Sequence, residues 1–203
     1  MEQHALSRQE RGKLAEQLVR GLYSDLAEPV VETINAHTEQ HYADLIGTWP
    51  IRYHVSEINE YRWTDLLRVP MPDDISWRPD IIVEARWKRQ YRSHELPGQA
   101  FWDGELPPYS LWVPRLEYRK RDRQAQRCNC RFRVYYLIEV KSGAKKTLTE
   151  QQSAAIPRVA KNVDYVHPVI ASVDIDDLPK RYLIEVDTFT NSAWAESGSR
   201  YRS

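Results

Sequence analysis

Helical and strand-like segments alternate along this 203-residue chain, which predicts an α/β fold with a central mixed β-sheet flanked by helices. Three observations carry that expectation. Leucines recur every fourth residue near the N-terminus (Leu14, Leu18, Leu22, Leu26), the spacing of an amphipathic helix. Two segments, 77–87 and 131–141, are dense in apolar, β-branched and aromatic residues, as strands inside a sheet are. Between the second of these and a further apolar run at 166–173, Thr149 supplies a helix start.

A first helix is expected from about Ser7 to about Leu26, because Ser7 followed three residues later by Glu10 is a capping-box pattern, and Val19 and Tyr23 broaden the leucine stripe. A second helix covers about Pro29 to about Ile46 and stops near Gly47, which accepts the left-handed conformation common at helix ends. Segments 51–56 and 60–69 read as strands, and Pro70-Met71-Pro72-Asp73-Asp74 as a turn. After the strand at 77–87, residues 88–110 contain Pro97, Gly98, Gly104, Pro107 and Pro108 and read as a long loop. Strands at 111–119 and 131–141, with a basic segment between them, predict a hairpin. Ser142-Gly143 ends the second strand. The helix begun at Glu150 should be kinked or ended early by Pro157. Strands at 166–173 and 181–189 follow, and the Ser-rich tail from Asn191 is expected to be loose. The chain is therefore one domain over 1–190, with 88–133 inserted as a loop and hairpin and 191–203 as a tail.

Composition narrows the partners. Hydrophobic residues make up 41% of the chain and charged residues 29%. No apolar stretch approaches the roughly 18 residues that span a bilayer. The N-terminal residues lack the basic and apolar regions of a signal peptide. No membrane partner and a cytoplasmic location are the expectations. Lysines and arginines balance aspartates and glutamates at 29 each, but the balance is uneven locally. Between Arg115 and Arg133 eight basic residues, including Arg119, Lys120, Arg121 and Arg123, face only Glu117 and Asp122. Such a stretch neutralises phosphates, and it equally suits a solvated hairpin tip that resists edge-to-edge pairing.

The seven tryptophans and twelve tyrosines are a heavy load, and Trp87, Trp102, Tyr109 and Trp112 fall in or near the insertion. Aromatics among arginines can stack on bases or build a satellite core. Cys128 and Cys130 sit too close for an unstrained disulfide, and as alternating strand residues they read as buried thiols. His37 and His41, four apart on the second helix, share a face and could join a zinc site, but no third ligand is evident.

The chemistry-bearing residues stand in the two strong strands. In Glu139-Val140-Lys141 the first and third residues point to one face, placing a carboxylate beside an ammonium late in an apolar strand. Asp80 follows Pro79 at the start of the other strand. If these strands pair, Asp80 and Glu139 converge on one divalent cation, with the Val140 carbonyl as a further oxygen. Mg²⁺ suits such a hard, water-rich site, and Mn²⁺ is a possible substitute. Lys141 would then hold or deprotonate an attacking water and stabilise charge on phosphorus.

Pro79-Asp80 together with Glu139-Val140-Lys141 resembles the PD-(D/E)xK nuclease superfamily, particularly its resolvase-type members. Arg11-Gly12-Lys13-Leu14-Ala15-Glu16 is similar to the first helix of those members, where an acidic residue joins the site. Lys141-Ser142-Gly143 followed by Leu148-Thr149-Glu150-Gln151-Gln152 is similar to their passage from strand to helix, where a glutamine contacts substrate or supports the lysine. The resemblance implies a restriction-endonuclease-like core (αβββαβ), a catalytic set of Asp80, Glu139, Lys141 and Glu16, and substrate contacts from Gln151, Gln152 and the basic hairpin. It implies a Mg²⁺-dependent endonuclease acting on nucleic acid, DNA before RNA, with homodimerisation possible. A ribonuclease toxin of the same fold, or a binding protein that does not cut, are the alternatives. One departure stands out: 58 residues separate Asp80 from Glu139, more than a short hairpin needs. Glu84, on the face of Asp80, is the local substitute for it, and Glu117 a more distant one.

Overall fold

The two dense apolar runs pair with each other and form the spine of the sheet. The computed structural model describes residues 6–21, 25–43, 50–56, 75, 77–92, 112–117, 127–143, 147–163, 165–178 and 181–188. Its elements are α1 (Arg8–Arg20), α2 (Glu28–Tyr42), β1 (Arg52–Ser56), β2 (Ile81–Arg92), β3 (Trp112–Glu117), β4 (Arg127–Ser142), α3 (Glu150–Asn162), β5 (Val166–Asp174) and β6 (Leu183–Thr188).

The strands form one mixed sheet in the order β1-β2-β4-β5-β6, with β3 pairing to β4 off that path. β2 and β4 run antiparallel from Ile81↔Ile138 to Arg92↔Arg127. β4 and β5 are parallel, joined through α3, from Tyr135↔Val166 to Ser142↔Val173. The α/β class with a mixed sheet flanked by helices is what the alternating elements imply.

Strand alternation divides the core between two faces. On one, Ile81, Val83, Ala85, Val134, Tyr136, Ile138, Val169, Ala171 and Val173 pack with Ala15, Leu18 and Val19 of α1 and Val30 and Ile34 of α2. On the other, Ile82, Tyr135, Leu137, Val166 and Ile170 pack with Trp77 and with Ala155, Ile156 and Val159 of α3. Asp80, Glu139 and Lys141 belong to this second face by the same alternation.

Several boundaries differ from the sequence expectation. The first helix stops at Arg20, because Gly21 takes φ 77° and donates its N–H to the Leu18 carbonyl, and Leu26 is buried beyond the helix. The second is helical over Glu28–Tyr42, and its expected end near Ile46 and Gly47 lies outside the described residues. α3 runs through Pro157 to Asn162: the proline costs one backbone hydrogen bond, and burial of Ala155, Ile156 and Val159 on either side holds the helix against the sheet. β2 continues to Arg92 and β4 begins at Arg127. Residues 88–92, expected in a loop, are thus strand, held by pairing with 127–131. The long spacing between Asp80 and Glu139 is partly spent on this extended ribbon. The expected strand at 60–69, the turn at 70–74, most of the 88–110 loop and the tail lie outside the described residues. Among the described residues no helix is long and apolar enough to cross a membrane.

Candidate functional site

Asp80 and Glu139 meet because of the β2–β4 register. Asp80 stands one residue before Ile81, whose partner is Ile138, so it faces Glu139 across the pair. Its N–H donates to the Ile138 carbonyl at 2.9 Å. Its Oδ2 accepts the Val140 N–H at 2.7 Å. Asp80 therefore holds the β4 backbone on both sides of Glu139, with its carboxylate doing the work of the next ladder carbonyl.

Glu139 is buried and densely bonded. Its Oε1 accepts from Lys141 Nζ at 2.9 Å and from Gln152 Nε2 at 2.5 Å. Its Oε2 accepts the indole N–H of Trp77 at 2.8 Å. Lys141 also donates to Gln152 Oε1 at 2.7 Å. Gln152 is in turn fixed by the capping box that starts α3: its Oε1 accepts the Thr149 N–H at 2.9 Å, and its own N–H donates to Thr149 Oγ1 at 3.3 Å. One side chain thus caps a helix and bridges the carboxylate and ammonium. The turn after Ser142 makes this passage possible, since Gly143 has φ +95°, a conformation that side chains with a Cβ rarely adopt.

Electrostatics tie Asp80 to the group. Burial pushes its carboxyl up to about 7, the negative charge of Glu139 adds to the shift, and Glu16 adds a smaller part; the Val140 N–H and the Lys141 ammonium oppose it. Glu16, half-buried on α1, lines a cleft of about 370 Å³ with Arg20, Arg78, Pro79 and Asp80. The first helix thus delivers an acid to the mouth of the site. Arg11, also on α1, pairs with Asp176 beyond β5 and steadies the helix there.

The other expected site residues fall as follows. Gln151 is exposed, one position away from the residue that reaches the site, because only the third position of a capping box folds back over the helix start. Val140 engages through its N–H. Glu84 does not stand in for Asp80: it faces Tyr135 in the register, is buried, and pairs with Arg86 and with Arg133 Nε at 3.2 Å. Glu117 lies opposite Arg127 at the far end of β4. Arg119, Lys120, Arg121 and Arg123 lie outside the described residues. Sequence reasoning missed Trp77: no motif marks it, and strand alternation from Asp80 would put it on the opposite face.

The histidines form a separate cluster on the opposite face of the sheet. His37 and His41 stack at 4.0 Å and 16°, and His167 of β5 lies 4.5 Å from His37 between ring centres. Parallel rings offset in this way cannot both direct a lone pair at one ion in their planes, so the arrangement does not chelate. Instead His37 Nδ1 meets Tyr136 Oη at 3.0 Å, and Tyr42 Oη meets His167 Nε2 at 2.6 Å. Burial first, and the neighbouring histidines second, lower His37 to about 4 and His167 to about 3. Cys128 and Cys130 occupy alternate positions of β4 opposite Tyr91 and Arg89.

Among the described residues no three His, Cys, Asp or Glu side chains form a closed cation cage. No family model matches the chain, and no curated protein or solved structure is similar to it.

Proposed function

We infer that the chain is a Mg²⁺-dependent endonuclease of the PD-(D/E)xK type, hydrolysing phosphodiester bonds in DNA. The observation that carries this reading is the juxtaposition of Asp80 with Glu139 across β2 and β4, with Lys141 Nζ 2.9 Å from Glu139. An acid pair and an ammonium at one end of a sheet, beside a polar cleft, is costly to bury unless it serves chemistry.

The residues fit a magnesium ion in one respect and limit it in another. A carboxylate offers about four lone-pair sites. Glu139 uses three of them here and Asp80 one, so both retain capacity. Burial raises the Asp80 carboxyl first and the charge of Glu139 second, and a divalent cation would relieve that second part. Among the described residues no third acid lies as close, which suits Mg²⁺, since it keeps several waters and binds through one or two carboxylates. Asp80 and Glu139 would hold it, the Val140 carbonyl completing the protein oxygens, with Glu16 reaching it through water. Bound there, it would supply Lewis-acid polarisation of a phosphodiester and a more acidic water.

The chain's own residues divide the remaining work. Lys141 places its ammonium where charge grows on phosphorus and can hand a proton to or take one from water. Gln152 and Trp77 fix the Glu139 carboxylate so that its free lone pair keeps one direction. Arg20 and Arg78 line the cleft with Glu16 and Asp80, where a phosphate-bearing strand would lie.

A plasmid-nicking assay with Mg²⁺ or Mn²⁺ tests the reading. Wild type is expected to nick, and Lys141→Ala and Asp80→Ala to lose at least about 100-fold, the scale of a positioned acid–base or oxyanion-stabilising group. Cleavage by both variants at the wild-type rate, or none by wild type on duplex, single-stranded or branched DNA, overturns it. The second outcome would favour a protein that binds without cutting.

A further inference from the structure

The surface between the site and the extended ribbon carries charge that the sheet register concentrates. Arg52 of β1 is the partner of Arg86 on β2, and Arg86 is the partner of Arg133 on β4. Register partners share a face, so three guanidinium-bearing residues stand side by side across three strands. They lie on the face that carries Asp80, Glu139 and Lys141. One buried carboxylate, Glu84, underlies this row and pairs with Arg86 and Arg133. Arg52 is exposed, and the Arg86 and Arg133 side chains keep 46% and 21% of their surface.

Like charges at facing positions destabilise a sheet. Folding nonetheless sets three guanidinium-bearing residues against one carboxylate among the described side chains, on strands of which two also build the candidate nuclease site. The dimensions say what would neutralise them. Three strands at about 4.8 Å spacing make the row about 10 Å wide. That width lies between the minor-groove and major-groove widths of a duplex, about 6 Å and 12 Å, so the flanking residues can meet phosphates of two strands at once. From Asp80 to Arg86 is six residues, about 20 Å of strand, or about six base pairs at 3.4 Å each.

We propose that Arg52, Arg86 and Arg133, carried over Glu84, form a phosphate clamp for duplex DNA about six base pairs from the Asp80–Glu139 site. Glu84 orients two of the arginines, and the surplus positive charge is the part the DNA backbone takes up. The location of the chemistry rests on the nuclease reading; the clamp itself is a binding surface and can be measured without cleavage.

The test is fluorescence anisotropy of a labelled 20-base-pair duplex, titrated with full-length protein in EDTA over a series of KCl concentrations. Two variants are compared: Arg52→Gln alone, which leaves Glu84 its two partners, and Arg52→Gln combined with Arg86→Gln, which leaves it Arg133. Each phosphate contact contributes about 0.9 to the slope of log Kobs against log salt. The single variant should flatten the slope by about 0.9 and the double variant by about 1.8. Removing Arg52, which faces Arg86, should leave the melting temperature unchanged or higher. Slopes equal to wild type in variants that melt at or above the wild-type temperature overturn the clamp, and so does the absence of salt-dependent binding by wild type. Should the double variant melt early, the single variant decides. Cleavage with an unchanged slope would sink the clamp and spare the nuclease. A flattened slope without cleavage under any metal would do the reverse.

Discussion

Trp77 donates its indole N–H to Oε2 of Glu139 across 2.8 Å, and both residues are almost wholly shielded from solvent. The tryptophan precedes β2 by four positions and packs with Ile82, Leu137 and Ile156, so its ring is held by the core while its polar edge steers a carboxylate. Partners of this kind commonly tune a ligand's orientation as much as the ligand itself does.

Trp77→Phe separates steering from packing. Phenylalanine keeps much of the buried ring and deletes the donor, leaving Glu139 Oε2 without its described partner. A hydrogen bond to a charged group contributes about 1.5–3 kcal/mol, so urea unfolding should show a loss of about that size. In the nuclease reading the Mg²⁺ concentration for half-maximal cleavage should also rise, by about 10–100-fold. A loss of stability with unchanged metal dependence would assign Trp77 to packing alone.

How much of this was legible beforehand differs from residue to residue. The Ser7–Glu10 capping box forms as written, with the Ser7 N–H donating to the Glu10 carboxylate at 2.8 Å, because such boxes depend only on neighbours three residues apart. The facing of Asp80 and Glu139 followed from two apolar strands pairing. Local signals failed where tertiary pairing decides. Lys88-Arg89-Gln90-Tyr91-Arg92 has no apolar alternation, yet it is strand because β4 supplies its hydrogen bonds. Pro157 read as a breaker, and burial of its neighbours outweighs the one bond it costs. Gln151 and Gln152 looked equivalent until the cap chose between them. His167 and Trp77 are distant in sequence from the groups they touch, and no spacing rule connects them.

The histidine cluster predicts an acid-sensitive fold. His37 and His167 are held near 4 and 3 in the folded protein by burial and by one another, against about 6.5 when unfolded. A depressed histidine stays neutral when folded, so the unfolded chain binds the extra protons. Stability is therefore intact above about pH 6.5 and falls as the pH drops from there toward 4. Two such groups give a slope of up to about 3 kcal/mol per pH unit, or about 2–3 kcal/mol lost by pH 5.5. His37→Gln should roughly halve the difference between urea unfolding at pH 7.5 and at pH 5.5. Equal sensitivity in variant and wild type would place the acid lability elsewhere.

Glu84 provides the remaining prediction, about the sheet rather than the chemistry. Its carboxylate is 5% exposed and lies between two guanidiniums. The Arg133 Nε approaches Oε1 to 3.2 Å, yet that oxygen has no aligned hydrogen bond, so the attraction there is mainly charge with charge. Glu84→Gln keeps the shape and removes the charge. Breaking a fully buried ion pair costs about 3–5 kcal/mol. Here both arginines remain partly in water, so the loss should be nearer 1–3 kcal/mol. Because Glu84 itself is shielded, raising the salt concentration should recover little of it. The surface charge above would become more positive by one, so the same variant should bind duplex DNA at least as tightly as wild type if its arginines keep their places. Weaker binding by a folded Glu84→Gln protein would show that the carboxylate matters chiefly as the post that holds Arg86 and Arg133 upright.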